Sequence, residues 1–289
     1  PSWVVEANYL GSRGIHLWAI TDRNRCAGCG VARLSPWFDV LEYHDNAADS
    51  IYHGATFLVR RRFTRGLGVD AAYSIGKTID VISGGGGIGG AFAQVYDAYN
   101  IRAQRGLSQN DYPQRLSVSY VWELPGPGGP HLVKGVLGGW QTSGVMVFQK
   151  GRPYTVTVTN RDFNSDAQFL DLPDAPAKAF PAWSGSDYIR GTFTAADFPT
   201  PVGVRMGNLG RNVYRGPGYA QVDFSLIKNT QAPWFTAERA RVQVRFEAFN
   251  LLNRVNINNW DTTLNAGTFG RATSSRDPRT IQLGLRIAF

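Results

Sequence analysis

The sequence lacks the marks of helical membrane proteins and of common enzyme classes. No stretch approaches the ~18 consecutive apolar residues of a membrane-spanning helix, which excludes an α-helical membrane protein. The 4 histidines, at positions 16, 44, 53 and 131, are scattered, and neither an HExxH motif nor a nucleophile elbow is present. We therefore expect a protein that is not an enzyme, with no catalytic residue, no metal site and no cofactor.

Cysteine is also scarce, because the only 2 lie together in the segment Cys26-Ala27-Gly28-Cys29. A redox CxxC motif belongs beside a strand–helix unit, a zinc ribbon needs a second cysteine pair, and haem attachment needs a histidine where Gly30 stands. We therefore predict a small disulfide between Cys26 and Cys29 that pins a loop in an oxidising compartment.

Basic residues exceed acidic ones, which gives a net charge of +8. Lys and Arg are nevertheless scattered along the chain. The one cluster, Arg60 to Arg62, ends an alternating segment beside a turn. A nucleic-acid partner is therefore not expected. Basic residues near a membrane boundary are the simpler explanation.

The last eleven residues alternate between two kinds of side chain. Large apolar residues occupy every second position, namely Ile281, Leu283, Leu285, Ile287 and Phe289. A β-strand points successive side chains to opposite faces, so this strand has one apolar and one polar face. A soluble sandwich would show the same alternation. The apolar face runs unbroken for about ten residues, the length that crosses a bilayer at a tilt of about 45°.

Similar alternation recurs through the rest of the chain. It predicts nine strands, at residues 3–10, 15–21, 51–63, 67–78, 115–124, 140–150, 220–228, 239–253 and 279–289. The first two are joined in this prediction by a hairpin turn at residues 11–14. A long irregular segment covers residues 160–217. It would count against a compact soluble domain but is expected on a barrel.

The predicted connections alternate in length. Short ones cover residues 11–14, 64–66, 125–137 and 229–238, and long ones cover residues 22–50, 79–113, 160–217 and 254–278. A membrane barrel sorts its connections in this way because one end faces the periplasm and the other the outside. The sequence thus predicts an all-β, antiparallel transmembrane β-barrel with long extracellular loops and short periplasmic turns. Single-chain bacterial barrels have even strand numbers, so about nine strands predict the C-terminal part of a larger barrel.

Five charged residues avoid the apolar faces of the predicted strands, namely Arg241, Arg245, Glu247, Arg279 and Arg286. An Arg that faced lipid at mid-depth would cost about 2–4 kcal/mol, whereas one that faced the lumen would meet water. The residues predicted to face the lumen are Asp70, Glu123, Asp223, Arg245, Glu247 and Arg286. Solvation without any role in ligand binding is the simpler alternative for each of them.

Several segments resemble the C-terminal part of TonB-dependent outer-membrane receptors of the Oar-like, carboxypeptidase-regulatory-domain type. The most specific is RFEAFNLLN at residues 245–253. Weaker ones are residues 9–14, 73–80, 105–108, 139–141, 151–154 and 216–223. Together they span nearly the whole chain in the expected order.

This resemblance implies a Gram-negative outer-membrane location and a barrel of about 22 strands with an N-terminal plug. Residues 1–289 would form the C-terminal portion of the barrel wall, with the plug and N-terminal domains absent. The implied partners are outer-membrane lipid, an unknown extracellular ligand, and the TonB complex through a missing N-terminal segment. The terminal strand, with Phe289 at its end, would belong to the signal that the barrel-assembly machinery recognises. A surface scaffold or adhesion barrel that transports nothing is the alternative.

Overall fold

The computed structural model describes residues 2–25, 33–38, 41–83, 100–164, 170–231 and 241–288, and its architecture is almost entirely β. Eight long strands form one sheet. They are β1 (Trp3–Asp22), β2 (Glu42–Thr64), β3 (Leu67–Asp80), β4 (Gln114–Glu123), β5 (Trp140–Gln149), β6 (Tyr219–Gln231), β7 (Arg241–Phe249) and β8 (Thr280–Ala288). A ninth strand of two residues, Gly106–Leu107, pairs with the end of β3.

Each long strand pairs antiparallel with the next one along the chain, so the sheet is a simple meander from β1 to β8. We call this sheet the wall. Among the described residues β1 pairs only with β2 and β8 only with β7, so the wall is open at both edges. The prediction of an antiparallel all-β fold with about nine strands is confirmed.

The predicted hairpin at residues 11–14 is wrong. These residues continue β1 and pair with residues 50–53 of β2, so the first two predicted strands are one strand. The two glycines make room for neighbouring side chains, because a Cβ on Gly14 would lie 2.8 Å from Ser50 Oγ and one on Gly11 would lie 3.2 Å from the Tyr9 hydroxyl. The strand is instead interrupted after Gly14, where the register shifts and His16 has a φ of 55°.

The connections still alternate in length without that hairpin. Long segments follow β1, β3, β5 and β7, whereas β2 and β3 are joined by Arg65 and Gly66 alone. The connection after β4 contains the helix His131–Leu137. Among the described residues, no helix is both long enough and apolar enough to span a membrane. We call the two ends of the wall the long-loop end and the short-loop end.

The strand pairing carries one apolar face across all eight strands. Paired residues of an antiparallel sheet point to the same side, so the register assigns each residue to a face. The apolar face includes Val5, Phe57, Val59, Val69, Tyr73, Leu116, Val118, Trp122, Met146, Phe148, Val222, Phe224, Leu226, Val244, Phe246, Ile281, Leu283, Leu285 and Ile287. Many of these side chains are exposed, and Leu283 is 80% exposed.

The connections after β5 and β7 fold together at the long-loop end. We call residues 150–164, 170–218 and 250–279 the cap. The cap contains three pairs of short strands, Pro153–Tyr154 with Tyr214–Arg215, Val158–Thr159 with Leu170–Asp171, and Ile257–Trp260 with Ala272–Ser275. It also contains the helix Gly185–Arg190 and the 3-10 turn Ala195–Asp197, whereas the 3-10 turn Ile101–Gln104 lies in the connection after β3. The segment predicted to be irregular therefore contains ordered secondary structure.

An aromatic core holds the cap together. Phe193 lies at its centre, with ring centroids 4.8 Å from Phe180 and 5.0 Å from Tyr214. The other buried members are Tyr154, Val156, Tyr188, Phe198, Leu209 and Phe269. This is the arrangement of a water-soluble domain, with apolar side chains inside.

Candidate functional site

All six residues predicted to face the lumen lie on the polar face of the wall. Asp70, Glu123, Asp223, Arg245, Glu247 and Arg286 share the face opposite to the apolar one through the strand register. Whether this face lines a lumen stays a prediction, because the sheet is not closed. The two-faced pattern itself is a property of the fold.

A groove of about 500 Å³ runs across the polar face. Three of the six residues line it, namely Asp70, Asp223 and Glu247. Its lining combines small residues, Gly68, Ser119, Ser143, Gly144 and Ser225, with apolar ones, Phe63, Val121, Val145 and Phe249. The groove is open and bordered by charge, so it can accept polar groups without burying an unpaired ion.

Most charges beside the groove already have partners. Arg60 Nε donates to Asp70 Oδ1 at 2.5 Å. Asp223 accepts bonds from the Gln221 side chain at 2.9 Å and from the Asn250 backbone N–H at 2.9 Å. Arg245 lies 3.7 Å from Glu247. These pairs hold the side chains in place, which favours a preformed polar surface over a site for one specific ion.

The remaining predicted site residues either lie outside the groove or lie outside the described residues. Glu123 and Arg286 are exposed on the polar face, outside the groove. Cys26, Cys29 and Phe289 lie outside the described residues, so the disulfide and the end of the assembly signal stay predictions. Within the described ranges, no group of three or more His, Cys, Asp or Glu side chains could hold a metal ion.

Two arginines of the cap join it to the long-loop end of the wall. Arg211 pairs with Asp80 at the end of β3, and these side chains are only 8% and 7% exposed. Arg211 also donates to Ser83 Oγ at 2.9 Å and to the Gln104 carbonyl at 2.8 Å. A buried ion pair is stable only when further hydrogen bonds satisfy both ions, and this one is well satisfied.

The second arginine, Arg215, contacts Asp111 in the segment before β4. The distance between Nη2 and Oδ2 is 2.5 Å, and the Asp111 side chain is 1% exposed. The backbone carbonyl of Arg215 accepts a hydrogen bond from the Tyr188 hydroxyl at 2.8 Å, which in turn bonds Tyr154 at 3.0 Å. Burial raises the pKa of Tyr188 to about 12, so this hydroxyl stays protonated and able to donate.

Sequence reasoning missed the cap and both arginines. The detectable signal was the density of aromatic residues between positions 154 and 214, which a solvated loop does not need. The pairing of Arg211 with Asp80 spans 131 residues of sequence and has no local pattern.

The segment that best carries the family resemblance, residues 245–253, ends β7 in a tight turn. Asn250 and Asn253 adopt positive φ of 50° and 48°, a conformation that asparagine tolerates better than most residues. The Asn250 side chain bonds both the N–H and the carbonyl of Arg254 at 3.0 Å. The asparagines of this motif are therefore explained by turn geometry.

Comparison with known proteins agrees with the two-faced sheet. Residues 1–282 match the model of a family described as outer membrane beta barrel domain. The chain belongs to this family. Its localisation is therefore the outer membrane, and its apolar face is the one that a barrel turns to lipid.

One solved structure supports the same fold. The outer membrane transporter YddB from Escherichia coli resembles 98% of this chain with a TM-score of 0.51 and 11% sequence identity. The chain spans only 30% of the length of that transporter. Among curated proteins no sequence matches this chain. The chain is thus an outer membrane beta barrel domain.

Proposed function

We propose that this barrel domain forms part of the wall of an outer-membrane receptor and transporter. The observation that carries the proposal is the polar face, where mutually paired charges surround a groove of about 500 Å³. A wall that only anchored a protein would have no need for an ordered polar surface on its inner side. The fold of the YddB transporter supports the proposal without identifying a ligand.

In this proposal the long-loop end faces the cell exterior. The cap then presents the outer ligand-contacting surface, and the short connections lie in the periplasm. Uptake or export of a large ligand would be energised by the TonB complex through a segment of the full-length protein outside this chain. The Oar-like resemblance is the basis for the TonB part of the proposal.

Transport is tested with the full-length protein in proteoliposomes or in cells that carry the TonB complex. The expected result is ligand accumulation that disappears when the complex is de-energised. Replacement of Asp70 and Glu247 by asparagine and glutamine should alter the rate of transport without removing the protein from the membrane. No uptake of any tested ligand under TonB coupling would contradict the proposal.

A surface scaffold or adhesion barrel is the second candidate. The buried ion pair between Arg211 and Asp80 favours it, because a cap fixed to the wall is a rigid platform for a partner. Cell-binding without ligand uptake, together with a gene that encodes no plug-like domain, would decide for this candidate.

We also propose that the chain has no catalytic activity of its own. The ring of His53 bonds the Tyr9 hydroxyl at 2.6 Å, and it has no carboxylate partner among the residues that the structure describes. A hydrolase activity that is lost in His53→Ala would overturn this.

A further inference from the structure

A second cavity, of about 530 Å³, lies at the long-loop end of the polar face, where the wall meets the cap. Tyr219 and Gln221 at the start of β6 line it from the wall, together with Phe249 at the end of β7. Asn258 and Ser275, from two paired short strands of the cap, line it from the other side. We call this cavity the seam pocket.

The seam pocket differs from most small-molecule sites in its lining. Such sites are lined mainly by apolar and aromatic side chains. In the seam pocket amides and hydroxyls predominate, and its described lining includes one basic and one acidic residue, Arg276 and Asp277. A ligand that fills the pocket is therefore polar over most of its surface and carries little net charge.

Several polar side chains of the pocket are available to a ligand. Asn258, Ser275 and Asp277 are exposed, and their side chains make no hydrogen bond or ion pair within the part of the chain that the structure describes. An asparagine amide and a serine hydroxyl can each donate and accept, whereas a carboxylate accepts at two oxygens. This combination suits a ligand with many hydroxyl groups, because each hydroxyl also donates and accepts.

Neighbouring contacts hold the pocket in shape. The Asn250 side chain donates to the backbone carbonyl of Asp277 at 3.3 Å, and the Gln221 amide donates to Asp223 at 2.9 Å. The Arg276 guanidinium lies 5.0 Å from the centre of the Tyr219 ring. The pocket is therefore preformed, which lowers the entropic cost of binding.

An aromatic ring adds an apolar surface to this polar pocket. Phe249 lies on the polar face of β7, opposite Thr280 of β8, and is 40% exposed. Phe249 also lines the groove, so the two cavities meet at this residue. A sugar ring carries C–H groups on its faces and hydroxyl groups around its rim. It can therefore pack one face against an aromatic ring while its rim bonds to polar side chains.

We infer that the seam pocket binds a neutral saccharide, with one sugar ring packed against Phe249 and with hydroxyl groups bonded by Asn258 and Asp277. A peptide fits less well, because Phe249 and Pro278 are the only apolar residues in the described lining. The neighbouring charges of Arg276 and Asp277 favour neither an anion nor a cation. The inference deepens the proposed function, on which it rests, by naming the class of ligand.

Binding is measured by isothermal titration calorimetry with the full-length protein in detergent. The probes are maltotetraose, cellotetraose, mannotetraose and xylotetraose, with tetra-alanine as the peptide probe. At least one tetrasaccharide should bind, and its affinity should be the same at low and high salt, because a neutral ligand has no charge to screen. Failure of every tetrasaccharide to bind, or tighter binding of tetra-alanine, would overturn the inference.

Two variants test the assigned contacts. Asn258→Ala should weaken binding of that tetrasaccharide about fivefold, since it removes a hydrogen bond between neutral groups. Asp277→Ala should weaken it about tenfold or more, because hydrogen bonds to a charged group are stronger. Parental affinity in both variants would contradict the inference. If Asn258→Ala lowers the amount of assembled protein, Ser275→Ala takes its place with the same expected loss.

Asn259→Ala is the matched control. Asn259 follows Asn258 in the same strand and is also exposed, but it does not line the pocket. Its replacement should change the affinity by less than about twofold. Equal losses in Asn258→Ala and Asn259→Ala would show that the seam pocket is not the binding site.

Uptake measurements separate this inference from the proposed transport. Binding that is weakened in Asn258→Ala, without any TonB-dependent uptake, would reject transport and leave the seam pocket as a saccharide site. TonB-dependent uptake of the same tetrasaccharide, with an unchanged half-saturating concentration in Asn258→Ala and Asp277→Ala, would leave transport standing and reject the seam pocket.

Discussion

The wall and the cap belong to one chain but obey opposite packing rules. In the wall, Leu283 and Leu285 are 80% and 67% exposed on the apolar face, while Arg245 and Arg286 lie on the polar one. In the cap, Tyr188 is completely buried, whereas the Lys178 and Arg205 side chains are 65% and 44% exposed. Asp171 and the Arg211 side chain are buried charged groups of the cap. The difference teaches that the surrounding medium decides which residues are buried. Hydrocarbon covers the apolar face of the wall, whereas water surrounds the cap.

The two regions also satisfy their backbones differently. In the wall, strand pairing supplies the hydrogen-bond partners of the backbone, because the hydrocarbon of a bilayer can neither donate nor accept hydrogen bonds. In the cap, side chains supply many of them. The Asn265 side chain, for example, accepts a hydrogen bond from the N–H of Thr159 at 3.1 Å and donates one to its carbonyl at 2.7 Å.

The largest expected effect is a cavity in the cap. Phe193→Ala should lower the free energy of unfolding of the cap by about 3–5 kcal/mol, because it removes the central ring of the aromatic core. Fluorescence of Trp183 and Trp260 during urea titration reports the cap transition. Val202→Ala, at a site 84% exposed in the same segment, is the control and should change the transition by less than about 0.5 kcal/mol.

The next largest effect is expected for a charged residue on the apolar face of the wall. Leu283→Arg places a charge against lipid and should destabilise the barrel by about 2–4 kcal/mol, with less protein in the outer membrane. Gln282→Arg, one residue away on the polar face, should be nearly neutral. The amount of folded, heat-modifiable protein in outer-membrane fractions measures both. Equal loss in the two variants would contradict the assignment of the faces.

A smaller effect concerns the helix Gly185–Arg190 in the cap. Ser184 caps it, and its hydroxyl forms a reciprocal capping box with Asp187. Ser184→Ala should cost about 1 kcal/mol in the stability of the cap. Ile189→Ala, in the same helix and 54% exposed, is the control, and a similar loss there would argue against a specific role of Ser184 as the N-cap.

The smallest expected effect is a pH dependence confined to the cap. A hydrogen bond from Arg205 lowers the pKa of Asp174, one from the Ser184 hydroxyl lowers the pKa of Asp187, and one from Lys178 lowers the pKa of Asp197. A carboxylate with a lowered pKa stabilises the fold fully above its unfolded pKa near 3.8. This stability is lost as the pH falls through the folded value.

Urea titration of the cap between pH 6 and pH 3 measures this dependence. The midpoint should be constant down to about the ordinary carboxyl pKa and then fall. Replacement of the three aspartates by asparagine should flatten the acid limb. An unchanged acid limb would show that other groups control the acid sensitivity.

The wall was largely predictable from the sequence because lipid imposes a period of two on every strand. The alternation at Leu116 to Trp122 and at Ile281 to Ile287 placed these residues correctly on one face. The hairpin turn predicted at residues 11–14 was wrong because the two glycines there make room for the side chains of Tyr9 and Ser50. A strand segment with such glycines has the same composition as a turn. Local composition cannot separate those two uses.

The cap could not be predicted in the same way. Its core joins residues from two distant segments, such as Tyr154 with Trp260, whose ring centroids lie 5.5 Å apart. Its anchoring ion pairs join Arg211 to Asp80 of β3 and Arg215 to Asp111 before β4, and both span more than 100 positions. The polar face was predictable as a face, but its groove depends on how six strands curve together.

The central claim, that hydrocarbon covers the apolar face, is tested most directly with spin labels at neighbouring positions of β4. Val118→Cys and Ser119→Cys are labelled in the full-length protein in bilayers, with Cys26 and Cys29 replaced by serine. The account predicts high accessibility to oxygen and low accessibility to a water-soluble nickel reagent at position 118, and the reverse at position 119. Equal access of the nickel reagent to both positions, or its exclusion from position 119 alone, would contradict it.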